Sequence, residues 1–219
     1  MTTLEVAEQF RALRVVPVIV IEDSAAAAPL AAALADGGLP CAEVTFRTKT
    51  AADSIRRMRD ARPEMLIGAG TVLTPTQVDT ALDSGATFIV SPGFNPVVVD
   101  YCLERDVPVF PGVCTPSEVE AALMRGLRVV KFFPAEPAGG LPYLKAIAAP
   151  YGEVSFMPTG GITRANLASY LAFPRIVACG GSWMAPQDWI ARGDFAAVRA
   201  ETERTVAAVR EHAGQQVAR

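Results

Sequence analysis

The 219-residue sequence holds a single histidine, His212, near its C-terminal end. One imidazole in a terminal segment argues against Ser-His-Asp or Cys-His catalysis and against a multi-histidine zinc site. Cysteine is sparse as well. Cys41, Cys102, Cys114 and Cys179 are widely spaced with no C-x-x-C, so neither a zinc ribbon nor a thioredoxin-type motif is written. Four scattered thiols in a chain of this length read as reduced core residues of a cytosolic protein. Long apolar runs are missing: Val15–Ile21, and Ala25–Ala35 with Pro29 inside it, fall short of the roughly 20 residues that span a bilayer. The opening residues, Thr2-Thr3-Leu4-Glu5, are acidic where a signal peptide would be basic. A net charge of −3 and no Lys/Arg cluster argue against nucleic acid and against a polybasic membrane anchor. The expectation is a soluble, cytoplasmic protein. Lysine, finally, is rare: of 20 Lys and Arg only Lys49, Lys131 and Lys145 are lysines.

What is present alternates. Short β-branched runs, each bounded by Gly, Pro or a small polar residue, fall at Val15–Ile21, Cys41–Thr45, Leu66–Gly70, Phe88–Ser91, Val109–Gly112, Val129–Phe132, Ser155–Pro158 and Ile176–Gly180. Between them lie amphipathic stretches with helix punctuation. Ser24 precedes an Ala-rich stretch stopped by Gly37-Gly38, and Thr74-Pro75, Asn95-Pro96 and Thr115-Pro116 open three more. The strand starts recur every 20–26 residues or so, which suggests eight strand-helix units and one (β/α)8 TIM barrel over residues 1–219. A doubly wound open sheet has the same alternation, and periodicity alone does not choose between them. Outside the units lie an N-terminal helix near Thr3–Leu13 and a C-terminal helix near Phe195–His212, whose Phe195, Val198, Thr202, Val206 and Val209 form one apolar stripe.

In a barrel the chemistry sits where strands end at the C-terminal face. Lys131, inside the apolar run Val129–Phe132, is the least expected residue. Burial disfavours an ammonium and frees the neutral amine for nucleophilic attack on a ketone; alternatively the side chain snorkels to water or pairs with a carboxylate. Strand period two puts Glu43, Thr45 and Arg47 on one face, with Val44 and Phe46 on the other. Glu43 is then either an acid/base or half of a structural ion pair. Gly160-Gly161 and Gly180-Gly181, each beside a hydroxyl residue, follow the last two strands, where barrels often bind phosphate through bare backbone N–H groups; ordinary turns are the other reading. Small residues end the third and fourth strands, and Thr71 can donate to a carboxylate. Cys114 reads as a small packed residue, Trp183 and Trp189 as barrel-bottom or helix packing, and His212 as a solvated helix-end residue.

Seven segments taken together carry a resemblance: Glu43-Val44-Thr45-Phe46-Arg47-Thr48, Gly68-Ala69-Gly70-Thr71-Val72, Ser91-Pro92-Gly93, Pro111-Gly112-Val113, Val130-Lys131-Phe132-Phe133-Pro134-Ala135, Pro158-Thr159-Gly160-Gly161-Ile162 and Gly180-Gly181-Ser182-Trp183. In this order they closely resemble the 2-keto-3-deoxy-6-phosphogluconate (KDPG) aldolase family, class I aldolases that include 4-hydroxy-2-oxoglutarate (KHG) aldolases. The resemblance implies a Schiff-base lysine at Lys131 and a proton-transfer glutamate at Glu43. It implies a pyruvate carboxylate held by Arg47 and Thr71 and a pyruvate pocket lined by Pro92 and Phe133. Thr159 falls at a position tied to stereochemical preference, and Gly160, Gly161 and Ser182 at the phosphate site. It further implies a homotrimer of barrels without metal or cofactor, cleaving KDPG to pyruvate and glyceraldehyde 3-phosphate in Entner–Doudoroff carbohydrate metabolism. Rival expectations are the same chemistry on 4-hydroxy-2-oxoglutarate or on the galactonate-derived epimer, a non-catalytic phospho-sugar sensor, and a metal-dependent class II aldolase that the lone histidine disfavours.

Overall fold

The computed structural model describes residues 1–217. Parallel strands alternate with helices around a closed ring. The strands are β1 (Val15–Ile19), β2 (Cys41–Thr45), β3 (Leu66–Gly70), β4 (Ile89–Val90), β5 (Val109–Phe110), β6 (Gly112–Val113), β7 (Val129–Phe132), β8 (Ser155–Pro158) and β9 (Cys179–Gly181). They form one ladder in the order β5-β4-β3-β2-β1-β9 and a second in the order β6-β7-β8. The chain joins the two at Pro111, between β5 and β6. Parallel bridges Phe156↔Ile176 and Thr159↔Gly180 join them on the other side. The result is the expected TIM barrel and not an open sheet.

The run expected as a single strand over Val109–Gly112 is therefore two. Pro111 has no N–H to donate and breaks the ladder, so β5 pairs with β4 and β6 with β7. The eighth stave is also shorter than Ile176–Gly180, because Ile176 makes only its isolated bridge and regular pairing with β1 begins at Cys179. The first ends at Ile19, before the loop that carries Glu22 and Asp23.

Helix starts follow their capping chemistry. α1 (Thr3–Leu13) opens on a Thr2–Glu5 capping box. Asp23 caps a 3-10 turn over Ser24–Ala26, and α2 (Ala27–Asp36) begins after it, later than Ser24 implied. α3 spans Ala51–Ala61. Thr74, Asn95 and Thr115 cap α4 (Pro75–Asp83), α5 (Pro96–Glu104) and α6 (Pro116–Leu123), each with Pro in the first turn, where no amide partner is lost. α7 (Gly140–Ala148), α8 (Arg164–Leu171), α9 (Gln187–Arg192) and α10 (Phe195–Val217) complete the outer layer. Val198 and Thr202 of the predicted stripe are fully buried. His212 is half-buried, because α10 runs on beyond it to Val217.

The barrel has two ends of different character. α1 plugs the N-terminal end, burying Val6, Ala7 and Phe10 among inward side chains of the strands. The Phe10 ring meets Phe88 edge-on at 5.0 Å and Phe110 at 5.2 Å, a geometry aromatic quadrupoles favour. Arg14, the left-handed cap of α1, donates to the carbonyls of Leu171, Ile176 and Val177, and so ties the first stave to the last. Burial pushes the Cys102 and Cys179 thiols up to about 12, so both are packed neutral groups and not nucleophiles. Phe10→Ala is expected to destabilise the protein by about 3–5 kcal/mol. By contrast Val97→Ala, at a side chain 63% exposed, should change stability by no more than about 0.5 kcal/mol. Urea unfolding of the two variants checks both values.

Candidate active site

Lys131 and Glu43 reach the barrel axis from opposite staves. In β7, Val130 and Phe132 face the helices and Lys131 faces inward. In β2 the same alternation turns Ala42 and Val44 outward and Glu43 inward. The two side chains are 5% and 2% exposed, and Lys131 Nζ donates to Glu43 Oε1 at 3.0 Å. The lysine does not snorkel to solvent; it is buried against a carboxylate. Its Nζ also lies 5.3 Å from the centre of the Phe133 ring. A cation on that nitrogen is thus faced by a carboxylate and by an aromatic π-face.

The glycines of β3 explain how this pair fits. A Cβ on Gly70 would sit 2.2 Å from Glu43 Oε1, and one on Gly68 would run into the Phe88 ring. The space left by these glycines is occupied by the Glu43 carboxylate above and the Phe88 ring of the aromatic plug below.

Above the pair opens a cavity of about 470 Å³ at the C-terminal ends of the strands. Six of the anticipated residues line it: Arg47, Phe133, Thr159, Gly160, Gly161 and Ser182. Arg47 lies in the turn just past β2 and is exposed. Thr159 is buried, and its Oγ1 occupies the space a Gly180 side chain would fill. Lys131 and Glu43 do not themselves line this cavity and meet it through Phe133; Thr71 and Pro92 do not line it either and stand at the ends of β3 and β4. Thr71 adopts φ 56°, a left-handed conformation that is costly for a β-branched residue. Pro92 lays its carbonyl against Gly112, where a Cβ would approach within 2.1 Å, and Gly112 is the register partner of Lys131.

The loop after β8 is tied by its carbonyls. Ala135 N–H donates to Thr159 O at 2.8 Å, Glu136 N–H to Gly160 O at 2.9 Å, and Asn166 Nδ2 to Gly161 O at 3.1 Å. In a trans peptide the N–H points opposite to the preceding C=O. With the carbonyls of Gly160 and Gly161 held outward, the amides of Gly161 and Ile162 turn the other way, toward the cavity these residues line. That arrangement suits an anion.

Several lining residues carried no signal in the sequence. Val18 in β1, Val20 just past it, and Ile162, Ala185 and Pro186 are apolar and look like packing. Trp183, expected at the barrel bottom or in helix packing, does pack against a helix, but at the opposite end of the barrel. Its ring lines the mouth cavity, while its Nε1 donates to Thr205 on α10 at 3.0 Å. Trp189 packs on the core from α9, as expected. A second cavity of about 500 Å³ adjoins, lined by Glu22, Asp23 and Arg192 among others. Gln187 lines both cavities and donates to Glu22 at 3.2 Å. This neighbour lacks Arg47, Phe133, Thr159, Ser182 and the Gly160-Gly161 loop, so the mouth cavity is the candidate site. Lys49 is exposed, and Lys145 Nζ lies over Phe173 on the outer surface.

Comparison with known proteins agrees with this geometry. The family model for KDPG and KHG aldolases matches residues 6–201. The 2-dehydro-3-deoxy-phosphogluconate aldolase of Treponema pallidum is 51% identical over 199 residues, covering 91% of this chain and 95% of that protein. The crystal structure of KDPG aldolase from Legionella pneumophila, with pyruvate captured at low pH as a covalent carbinolamine intermediate, superposes with a TM-score of 0.87 at 38% identity, covering 91% of this chain and 97% of that one. The Zymomonas mobilis 2-keto-3-deoxy-6-phosphogluconate aldolase with 3-phosphoglycerate gives the same TM-score at 40% identity, covering 92% and 95% of the two chains.

Stability should report the buried pair directly. Removing one partner strands the other charge, so Glu43→Gln and Lys131→Met are each expected to cost about 3 kcal/mol. The double variant should cost clearly less than their sum. Urea unfolding of all four proteins measures this cycle, and additive costs would show that the two groups are not coupled.

Proposed function

Because the chain belongs to the KDPG and KHG aldolase family, we propose that it is a class I aldolase cleaving 2-dehydro-3-deoxy-6-phosphogluconate to pyruvate and glyceraldehyde 3-phosphate. The observation that carries this reading is the buried Lys131–Glu43 hydrogen bond of 3.0 Å beneath an anion-suited mouth. Lys131 Nζ, having passed its proton to Glu43, attacks the C2 ketone. The carbinolamine loses its hydroxyl as water, with the proton supplied by Glu43, and leaves an iminium cation. Glu43, again a carboxylate, takes the C4 hydroxyl proton as the C3–C4 bond breaks. That bond's electron pair moves into the enamine, and glyceraldehyde 3-phosphate departs. Protonation at C3 and addition of water then release pyruvate and the free amine. One carboxyl group serves every step because its charge state alternates, and the Phe133 face stabilises the cationic stage.

The substrate's two ends find different partners in this reading. Arg47 offers a planar fork to the carboxylate of the pyruvate half, with Thr71 as a hydroxyl donor and Pro92 and Phe133 as pocket walls. The amides of the Gly160-Gly161 loop and the Ser182 hydroxyl receive the distal phosphate, and Thr159 faces the aldehyde half. The anion-suited loop favours the phosphorylated substrate over 4-hydroxy-2-oxoglutarate. The chemistry as written calls for no metal or cofactor. The reading also includes a homotrimer, for which the exposed Leu73, before α4, and Val97, in the first turn of α5, offer apolar surface. The cytoplasm is its setting, in keeping with free, mostly buried cysteines.

Borohydride reduction in the presence of pyruvate should leave an adduct on the peptide containing Lys131. Lys131→Ala should form none and lose at least about 10³-fold in kcat, while EDTA leaves the wild-type rate unchanged. Ligand binding with no adduct would favour a sensor instead. Across KDPG, its galactonate-derived epimer and 4-hydroxy-2-oxoglutarate, kcat/KM is expected to be highest for KDPG. Ser182→Ala should raise KM for KDPG about tenfold and leave that for 4-hydroxy-2-oxoglutarate nearly untouched; a preference for the non-phosphorylated acid would reverse the substrate assignment.

A further inference from the structure

Behind the phosphate-facing loop lies a polar pair that the reaction does not use. Tyr170, on α8, is 1% exposed, and its hydroxyl donates a short hydrogen bond to Glu136 Oε1. Burial and the adjacent Glu136 carboxylate both push the Tyr170 hydroxyl up, so it stays protonated as a donor. The Glu136 carboxylate rests at the start of α7, where a Cβ on Gly140 would come within 3.1 Å of Oε1. The positive end of a helix favours a carboxylate there.

Glu136 itself is five residues past Lys131 and belongs to the loop after β7. Its backbone N–H holds the Gly160 carbonyl at 2.9 Å. Its side-chain stem packs on Gly161, at which a Cβ would fall 2.6 Å from Glu136 Cβ. The direction of the Gly161 amide depends on where the Gly160 carbonyl is held, and that depends on Glu136. Glu136 is in turn fixed by the phenol beneath it.

We propose that Tyr170 and Glu136 are positioning residues for phosphate recognition. By holding the Glu136 carboxylate at the α7 N-terminus, the Tyr170 hydroxyl keeps the Gly161 amide aimed into the cavity and the negative charge out of it. This inference rests on the aldolase reading and deepens it. Neither residue lines the mouth cavity, so each acts through the loop and not by contact with substrate. Because Glu43 and Arg47 belong to the β2 stave, and Lys131 is fixed within β7 by its ladder pairing and its bond to Glu43, the pair should govern the phosphate end of the substrate and not the pyruvate end.

The test compares phosphorylated and non-phosphorylated substrates. Tyr170→Phe removes only the hydroxyl. It is expected to raise KM for KDPG roughly three- to tenfold, with kcat and the KM for 4-hydroxy-2-oxoglutarate changing less than about twofold. Glu136→Ala should give the same selective loss. Glu136→Gln, which keeps an oxygen to accept from Tyr170, should recover most of it, and Tyr170→Phe combined with Glu136→Ala should be no worse than Glu136→Ala alone. Borohydride trapping of pyruvate on each variant reports an intact reactive pair. Equal KM changes for both substrates, or none, with trapping intact would reduce the pair to a structural role and overturn the inference. A Tyr170→Phe protein that fails to trap pyruvate would do so as well. If the wild-type protein traps no pyruvate, the aldolase reading falls and the inference falls with it.

Discussion

A lysine ammonium and a glutamate carboxylate placed inside a barrel each lose several kcal/mol of hydration, and only close pairing makes their joint burial tolerable. The contact between Lys131 and Glu43 therefore constrains much of the architecture around it. It requires two staves distant in sequence to present polar groups at one level of the axis. It requires Gly70 on the intervening side, because any side chain there would displace Glu43 Oε1. It also requires a floor that admits no water. Phe10, Phe88 and Phe110 supply that floor and meet the underside of the polar layer with a closed aromatic cluster.

The division of labour along the axis follows. The N-terminal end is built from side chains that pack, with α1 as a plug and Arg14 as a tie between the first and last staves. The C-terminal end is built from loops whose backbone groups are spoken for on one side and turned to the cavity on the other. The loop after β8 illustrates how this is done. Two partners from the β7 loop and one from α8 hold successive carbonyls, which makes the orientation of the intervening amides a consequence of hydrogen bonds made behind them. A phosphate site of this kind is specified less by the residues facing the ligand than by those behind.

Much of this was legible in the sequence because the relevant signals are local. Lys131 stands out by polarity within an apolar run, Glu43 by its place in a period-two pattern, and the barrel by the even spacing of strand and helix. Thr74, Asn95 and Thr115 announce their helices because a cap is a matter of four adjacent residues. What escaped depends on distant neighbours. Nothing near Pro111 reveals that the ladder changes partners there, since the proline's missing donor matters only once both flanking staves are known. Trp183 reads as packing because its other face, toward the mouth, is defined by loops from elsewhere. Tyr170 and Glu136 are 34 positions apart and meet only when α8 folds under the β7 loop. Val18 lies level with Glu43 in the register, yet a valine in a strand carries no mark of a cavity wall.

The interruption at Pro111 has one more consequence. The ring is two curved ladders meeting at two seams, one at Pro111 and one made of two isolated bridges. Glu43 belongs to the larger piece. Lys131 belongs to the smaller, and the phosphate-facing loop continues directly from it. The Pro111 seam is itself stitched by backbone hydrogen bonds, Gly112 N–H to Ser91 O at 3.0 Å and Lys131 N–H to Pro111 O at 2.9 Å, so it fixes the spacing of the two groups together with their own contact. Glu43 and Lys131 are held in register by the same contact to which the proposed chemistry is assigned. In the proposed reaction, a substrate that engages the amine at one ladder and lays its carboxylate on Arg47 at the other acts for that moment as a rivet across the seam.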